Sequence, residues 1–204
     1  MTETAYVMSF TAGALLHRES LTVATLFHGL GDWDVVRDRV LDENLLQMRT
    51  SQAAKRIFRE VSGRLKPLTP AELALLLDGA PQEQGHILWL AVCKRYRFIY
   101  DFAIEVVREK FIRLDFDLSY DDYDVFFNDK AEWHPEVEGV AESTRKKLRQ
   151  VLFKMMREAN LLTQDDQIVP AMLTPRTIEV IAAGSPSYLL AFPISPTEVQ
   201  EWLS

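Results

Sequence analysis

Helix-start signals recur along this chain, and they limit its fold more than any other feature. Thr69-Pro70-Ala71-Glu72 and Ser195-Pro196-Thr197-Glu198 both read as capping boxes with proline at the first helical position. In such a box the hydroxyl accepts from the amide three residues on. The glutamate reaches back to the cap, and proline sits where its missing N–H costs nothing. Thr174-Pro175 repeats the first half of the pattern, and Gly79 after Leu73 to Asp78 reads as a stop. Apolar spacing near the helical period places helices over about 12–27, 33–41, 51–65 and 70–77. One or two more fill the apolar stretch 82–114. Others follow over 120–127 (capped by Ser119), 143–160, 175–183 and 196–203. The expected fold class is all-α, a compact multi-helix protein. One stretch reads otherwise: Leu161-Leu162-Thr163 and Gln167-Ile168-Val169 flank a polar turn and predict a small β-hairpin near 161–169, with Pro170 limiting its second strand to an edge. A helix followed by such a hairpin is the order of a winged helix.

The apolar fraction of 48% and charged fraction of 26% are ordinary for a globular protein with a real core. The central apolar run, Ile87 to Cys93, spans seven residues. A membrane-crossing helix needs about 20. No stretch at the N-terminus has the charge and apolar pattern of a signal peptide. A cytoplasmic protein without membrane contact is expected. Cys93 is the single cysteine, so neither an intrachain disulfide nor a cysteine-based zinc site can form. It reads as a small buried hydrophobe. The length of 204 residues suits one large domain or two small ones in contact. The expected division is 1–114, a helical domain with a first helix-turn-helix and the central core helices, and 115–204, a winged-helix-like domain with a second basic helix.

Charge is segregated. The formal net charge is −7, yet Asp115 to Glu142 holds ten acids and one base, Lys130. The remainder of the chain is slightly positive, so the total says little about what one surface can bind. On a helical wheel of 51–65, Ala54, Ile57, Phe58, Val61 and Leu65 form the buried side, while Gln52, Lys55, Arg56 and Arg59 fall opposite. From Arg49 to Lys66 there are six bases and one acid. With the preceding helix 33–41, this fits a helix-turn-helix whose second helix presents Thr50, Ser51 and Gln52 near base edges. The helix over 143–160 repeats the pattern. Leu148, Val151, Leu152, Met155 and Ala159 make the apolar stripe, and Lys146, Lys147, Gln150, Lys154 and Arg157 the outer face, with Arg145 and Arg149 flanking. Cations on such faces release condensed counterions when they meet phosphates, giving salt-sensitive affinity. The candidate DNA-contacting set is therefore Arg49, Ser51, Gln52, Lys55, Arg56, Arg59, Arg145, Lys146, Lys147, Arg149, Gln150, Lys154 and Arg157. A plain solvated face is the simpler reading of either helix alone, since lysine and arginine are good helix formers. Two such helices in an acidic protein bring the nucleic-acid reading level with it.

The acids around His134 invite a metal-site reading, but their spacing fits a solvated helix or a protein-contact face better, with Tyr120, Tyr123, Phe126 and Phe127 as its buried stripe. His17, His28 and His86 are isolated, and no nucleophile has a base at a suitable spacing. No catalytic residue, cofactor or metal is expected. Trp33, Trp89, Trp133 and Trp202 read as core anchors. Phe153 falls among outward positions of its helix, where it would pack under the wing or touch a partner.

Several strings match a known family. Ser9-Phe10-Thr11-Ala12-Gly13-Ala14-Leu15-Leu16 with Arg18-Glu19-Ser20 resembles the opening of BrxA proteins, small core components of bacteriophage exclusion (BREX) systems. The likeness continues through Asn44 to Thr50, the pairs Arg56-Ile57 and Arg64-Leu65, Trp89 to Tyr96, and Thr144 to Gln150, covering nearly the whole chain. The resemblance implies a helical DNA-binding accessory protein that works with other BREX components, here expected as a monomer on double-stranded DNA. Methylation and nucleotide hydrolysis belong to other members of those systems. The family has also been called an inner-membrane protein, which the hydropathy here contradicts. A scaffold that touches only other defence proteins is the second reading. RNA binding, from the family's likeness to the helical antitermination factor NusB, is the third.

Overall fold

A computed structural model describes residues 5–195 and Thr197. Its helices are α1 (His17–Leu30), α2 (Trp33–Asp42), α3 (Ser51–Leu65), α4 (Pro70–Asp78), α5 (Pro81–Arg95) and α6 (Arg97–Phe102). A π-helical turn (Ala103–Arg108) continues α6 into α7 (Glu109–Ile112). Then come α8 (Tyr120–Ala131), α9 (Pro135–Glu138), α10 (Glu142–Glu158), α11 (Pro175–Gly184) and a 3-10 turn (Pro186–Ala191). The fold is all-α. The start signals act as read: Thr69 Oγ1 accepts from the Glu72 amide while Glu72 Oε2 accepts from the Thr69 amide at 2.7 Å. Thr174 caps α11, and Ser119 forms a full box with Asp122. The last helix expected, over 196–203, and Trp202 lie outside the described residues.

α5 is the axis of the molecule. Every residue from Gly85 to Cys93 is buried, as an all-round apolar helix requires. α1, α3, α4, α6 and α10 pack against it. Trp89 donates from its indole N–H to the Ala191 carbonyl at 3.0 Å, tying the C-terminal 3-10 turn to this axis. Cys93 lies buried here, and burial pushes its thiol pKa well up. One continuous apolar core draws on residues from both sides of position 114. Glu72 is buried beside it and holds Lys94 Nζ at 2.6 Å.

Three local expectations are corrected. First, α1 begins at His17, not near Ala12. Gly13 (φ 76°) and Leu16 (φ 56°) are left-handed, and the chain before His17 is an irregular strap pressed into the core. Buried irregular backbone needs polar partners, and remote helices supply them. Arg64 of α3, only 2% exposed, donates to the carbonyls of Ala14 (2.7 Å) and Ala12 (3.3 Å). Glu158 of α10 accepts from the Leu15 amide at 2.8 Å, and Glu136 of α9 from the Tyr6 amide at 2.7 Å. Second, the hairpin over 161–169 is reduced to a single bridge between Leu162 and Ile168, and the described residues contain no strand. Asp117 adds an isolated bridge to Gln167 from the other side. Third, Trp133 is no core anchor: it is 77% exposed. Trp89 is buried, and Trp33 stacks at the surface on Phe27 at 4.0 Å.

Two stability predictions follow from buried polar groups. Arg64→Ala strips the strap of its donor and leaves Glu60 facing Tyr96 without its cation, so urea unfolding should show a loss of about 3–5 kcal/mol. Arg64→Lys should not rescue it, because one ammonium cannot replace the guanidinium fork. His86 is buried with neither ring nitrogen hydrogen-bonded, and burial lowers its pKa to about 4. The fold thus favours neutral histidine. That contribution is complete above the ordinary value of 6.5 and is lost as pH falls toward 4. The loss should be on the order of 3 kcal/mol across that window. Urea titrations at pH 7, 6 and 5 should show the decline, and His86→Phe should flatten it.

Candidate nucleic-acid interface

Thr50 begins α3 as its N-cap, accepting from the Ala53 amide at 3.1 Å. The wheel then does what its pattern demands. Ala54, Ile57, Phe58, Val61 and Leu65 are buried, while Ser51, Gln52, Lys55, Arg56 and Arg59 are exposed, with Arg49 exposed just ahead of the cap. Among the described residues, none of Arg49, Lys55, Arg56 and Arg59 has an ion pair, hydrogen bond or ring contact. A shallow groove of about 330 Å³ runs between α2 and α3 beside this face, with Lys55, Arg59 and Lys66 on one side and Trp33 and Leu41 on the other. Lys66 sits 5.6 Å over the Trp33 ring. The connection 43–50 holds eight residues, braced by Asn44, whose side chain bonds both the N–H and the carbonyl of Met48. It is longer than the about three- or four-residue turn of common helix-turn-helix units.

α10 distributes its charge differently. Lys146, Lys147, Gln150 and Lys154 are exposed. Lys146 has Glu142 at 3.4 Å and Lys154 has Glu158 at 3.7 Å, both solvent-exposed helical pairs of a few tenths of a kcal/mol. The three arginines turn toward the protein. Arg145 donates to Asp124 (3.1 Å) and Asn128 (2.8 Å) and lies 4.5 Å over Phe127. Arg149 pairs with the same Asp124 and lies 4.3 Å over Tyr120, and Arg157 pairs with Asp166. Phe153 is buried edge-on against Tyr120 of α8, 4.8 Å away. The acidic segment thus spends much of its charge internally. Asp115 and Asp122 both reach Lys110, and Lys130 holds Glu105 at 2.7 Å. His134 Nδ1 and Glu136 Oε1 lie 3.1 Å apart, and the Tyr6 amide holds Glu136 below the usual carboxylate range. Among the described residues no three His, Cys, Asp or Glu side chains converge on a point where a metal could sit.

The structure places the α3 set on one outward helix face and the α10 lysines on another. α3 meets the C-terminal end of α5, where Gly63 lies against Arg95. α10 meets its N-terminal end, where Gly85 lies against Ala159. Sequence reasoning missed Arg95, which follows the apolar run of α5 and joins the α3 face through tertiary contact alone.

The architecture is that of an all-helical protein with one helix face of uncompensated cations, built around a single apolar axis. The chain belongs to the BrxA family, whose profile matches residues 4–185. Its curated relatives are BREX proteins. BREX protein BrxA of Escherichia coli O9:H4 (strain HS) is 25% identical over 155 residues, 76% of this chain and 73% of that one. BREX protein BrxA of Bacillus cereus (strain H3081.97) is 27% identical over 161 residues, 78% and 80% of the two chains. The crystal structure of an uncharacterized protein from Magnetospirillum magneticum shares the fold, with a TM-score of 0.80 at 21% identity, over 94% of this chain and 99% of that one.

The two basic helices should respond differently to mutation. Lys55→Glu with Arg59→Glu touches no contact, so chemical unfolding should stay within about 0.5 kcal/mol of the parent. Asp124→Ala leaves two half-buried guanidiniums without a carboxylate and should cost about 1–3 kcal/mol in the same assay.

Proposed function

We propose that this protein is a non-catalytic, double-stranded-DNA-binding component of a BREX phage-defence system, and that α3 carries the contact. The observation behind this reading is the set of four cations on one exposed helix side, Arg49, Lys55, Arg56 and Arg59, none of which forms an ion pair among the described residues. The same fold neutralises most other cations locally. An unpaired row of this kind gains free energy when phosphates replace its counterions. Ser51 and Gln52 stand exposed in the first turn of the helix, where side chains reach base edges. Lys146, Lys147 and Lys154 of α10 offer a second, weaker phosphate track. No helix among the described residues is long and apolar enough to cross a membrane, in keeping with work on cytoplasmic DNA. The relatives' names place the family in BREX systems, and this chain is proposed to act there with other components and to perform no chemistry itself. A protein-contact role also has an observation in its favour. Trp133 and Val125, 77% and 61% exposed, stand beside Asp121 and Asp129 on the acidic side and suit another BREX component. Both roles can coexist on different faces.

Fluorescence anisotropy of a labelled duplex, read between 50 and 200 mM salt, tests the DNA reading. The logarithm of affinity should fall linearly with the logarithm of salt, by about 0.9 for each phosphate contacted. Lys55→Glu with Arg59→Glu should cut affinity at least about tenfold and lower the slope by about 2, while Lys146→Glu with Lys154→Glu should do less. Absence of duplex binding near physiological salt would sink the reading and leave the acidic, Trp133-bearing side as the surface to probe for partners.

A further inference from the structure

A cavity of about 350 Å³ opens beside the α3 face, between that helix, the N-terminal strap and the end of α5. Its walls carry three guanidinium groups, Arg56 and Arg59 from successive turns of α3 and Arg95 from α5. None of the three has a carboxylate partner among the described residues. Arg95 lies along α3 beside Gly63, where a Cβ would stand 3.5 Å from its Nε, an ordinary van der Waals contact. Ser9 and Thr11 bring hydroxyls from the strap. One acid lines the cavity, Glu60, and it is already engaged. Its Oε1 accepts from Arg64 at 2.8 Å and from the Tyr96 hydroxyl at 2.6 Å. Burial, and then the hydrogen bond to Glu60, push the Tyr96 pKa up to about 12, so its hydroxyl keeps its proton and keeps donating. What remains on the cavity lining is the positive charge of two arginines from α3 and one from α5.

We propose that this cavity is a phosphate-binding site, with Arg56, Arg59 and Arg95 as the clamp. Guanidinium forks match the oxygens of a phosphoryl group two at a time, and three forks can surround one tetrahedral anion. The cavity is larger than a lone phosphate, so the group arrives attached to something. It is either a phosphate of a bound DNA strand or that of a free nucleotide. The first source rests on the DNA-binding reading and extends it by a residue from α5, and the second stands without it.

Calorimetric titration with inorganic phosphate, pyrophosphate and dAMP, against chloride at equal ionic strength, provides the test. Pyrophosphate should bind the parent protein and raise its melting temperature. Arg95→Gln, a surface change, should melt normally without ligand and bind pyrophosphate at least about tenfold more weakly, with partial recovery in Arg95→Lys. No binding beyond chloride, or Arg95→Gln binding like the parent, would overturn the proposal. Competition then separates the sources. A strand phosphate predicts that pyrophosphate displaces labelled duplex and that Arg95→Gln weakens duplex binding. A free nucleotide predicts tight dAMP binding with duplex affinity unchanged. The small-anion titration contains no DNA, so a failure of duplex binding leaves its result intact.

Discussion

The buried guanidinium of Arg64 holds the N-terminal third of the molecule together. It leaves α3 on the inward side, pairs with Glu60 one turn back, and donates to carbonyls of the strap at Ala12 and Ala14. Without it the strap would bury backbone oxygens with nothing to satisfy them, at a cost that irregular segments rarely meet. Glu60 in turn takes the Tyr96 hydroxyl, so one ion pair joins the strap, α3 and the junction between α5 and α6. The cavity proposed to hold phosphate is the space that these three pieces enclose. A buried pair of this kind adds little net stability compared with an apolar substitute. What it adds here is position: it fixes the outer face of α3 and the rim beside it relative to α5.

The placement of charge follows from which cations have acids within reach. α10 carries more bases than α3, six against four, but the acidic segment folds back along it, and Asp124 and Asp166 take its arginines. The arginines double as aromatic packing, with Arg145 over Phe127 and Arg149 over Tyr120. The acidic stretch thus acts first as internal glue between α8 and α10. Outside that contact, Trp133 and Val125 remain open on the same side. α3 has no such segment against its outer face, and its cations stay available.

Much of the architecture was legible because its signals are local. Caps depend on residues two or three apart: the box read at Thr69 forms, and Thr174 and Ser119 cap their helices where read. The apolar face of α3 follows from its periodicity. The failures share one cause as well. Residues 12–16 carry helix-forming types, yet Arg64, Glu158 and Glu136 supply the strap with the hydrogen bonds a helix would otherwise have made internally. The hairpin was seen by its composition, but its pairing stops after one bridge. Trp133 was counted as core because tryptophan is usually covered, and no local pattern says otherwise.

The sequence by itself determined the all-helical class, most helix starts, the buried stripe of α3, and, through long matching strings, the BrxA family. Each is a property of neighbouring residues or of direct comparison. Only the tertiary structure decided which basic residues remain unpaired, because pairing depends on charges that lie 21 to 25 positions away in sequence, as between Asp124 and Arg145 or Arg149. It alone brought Arg95 beside Arg56 and Arg59 across Gly63. Coulombic energy depends on distance in space, and no spacing along the chain encodes that distance.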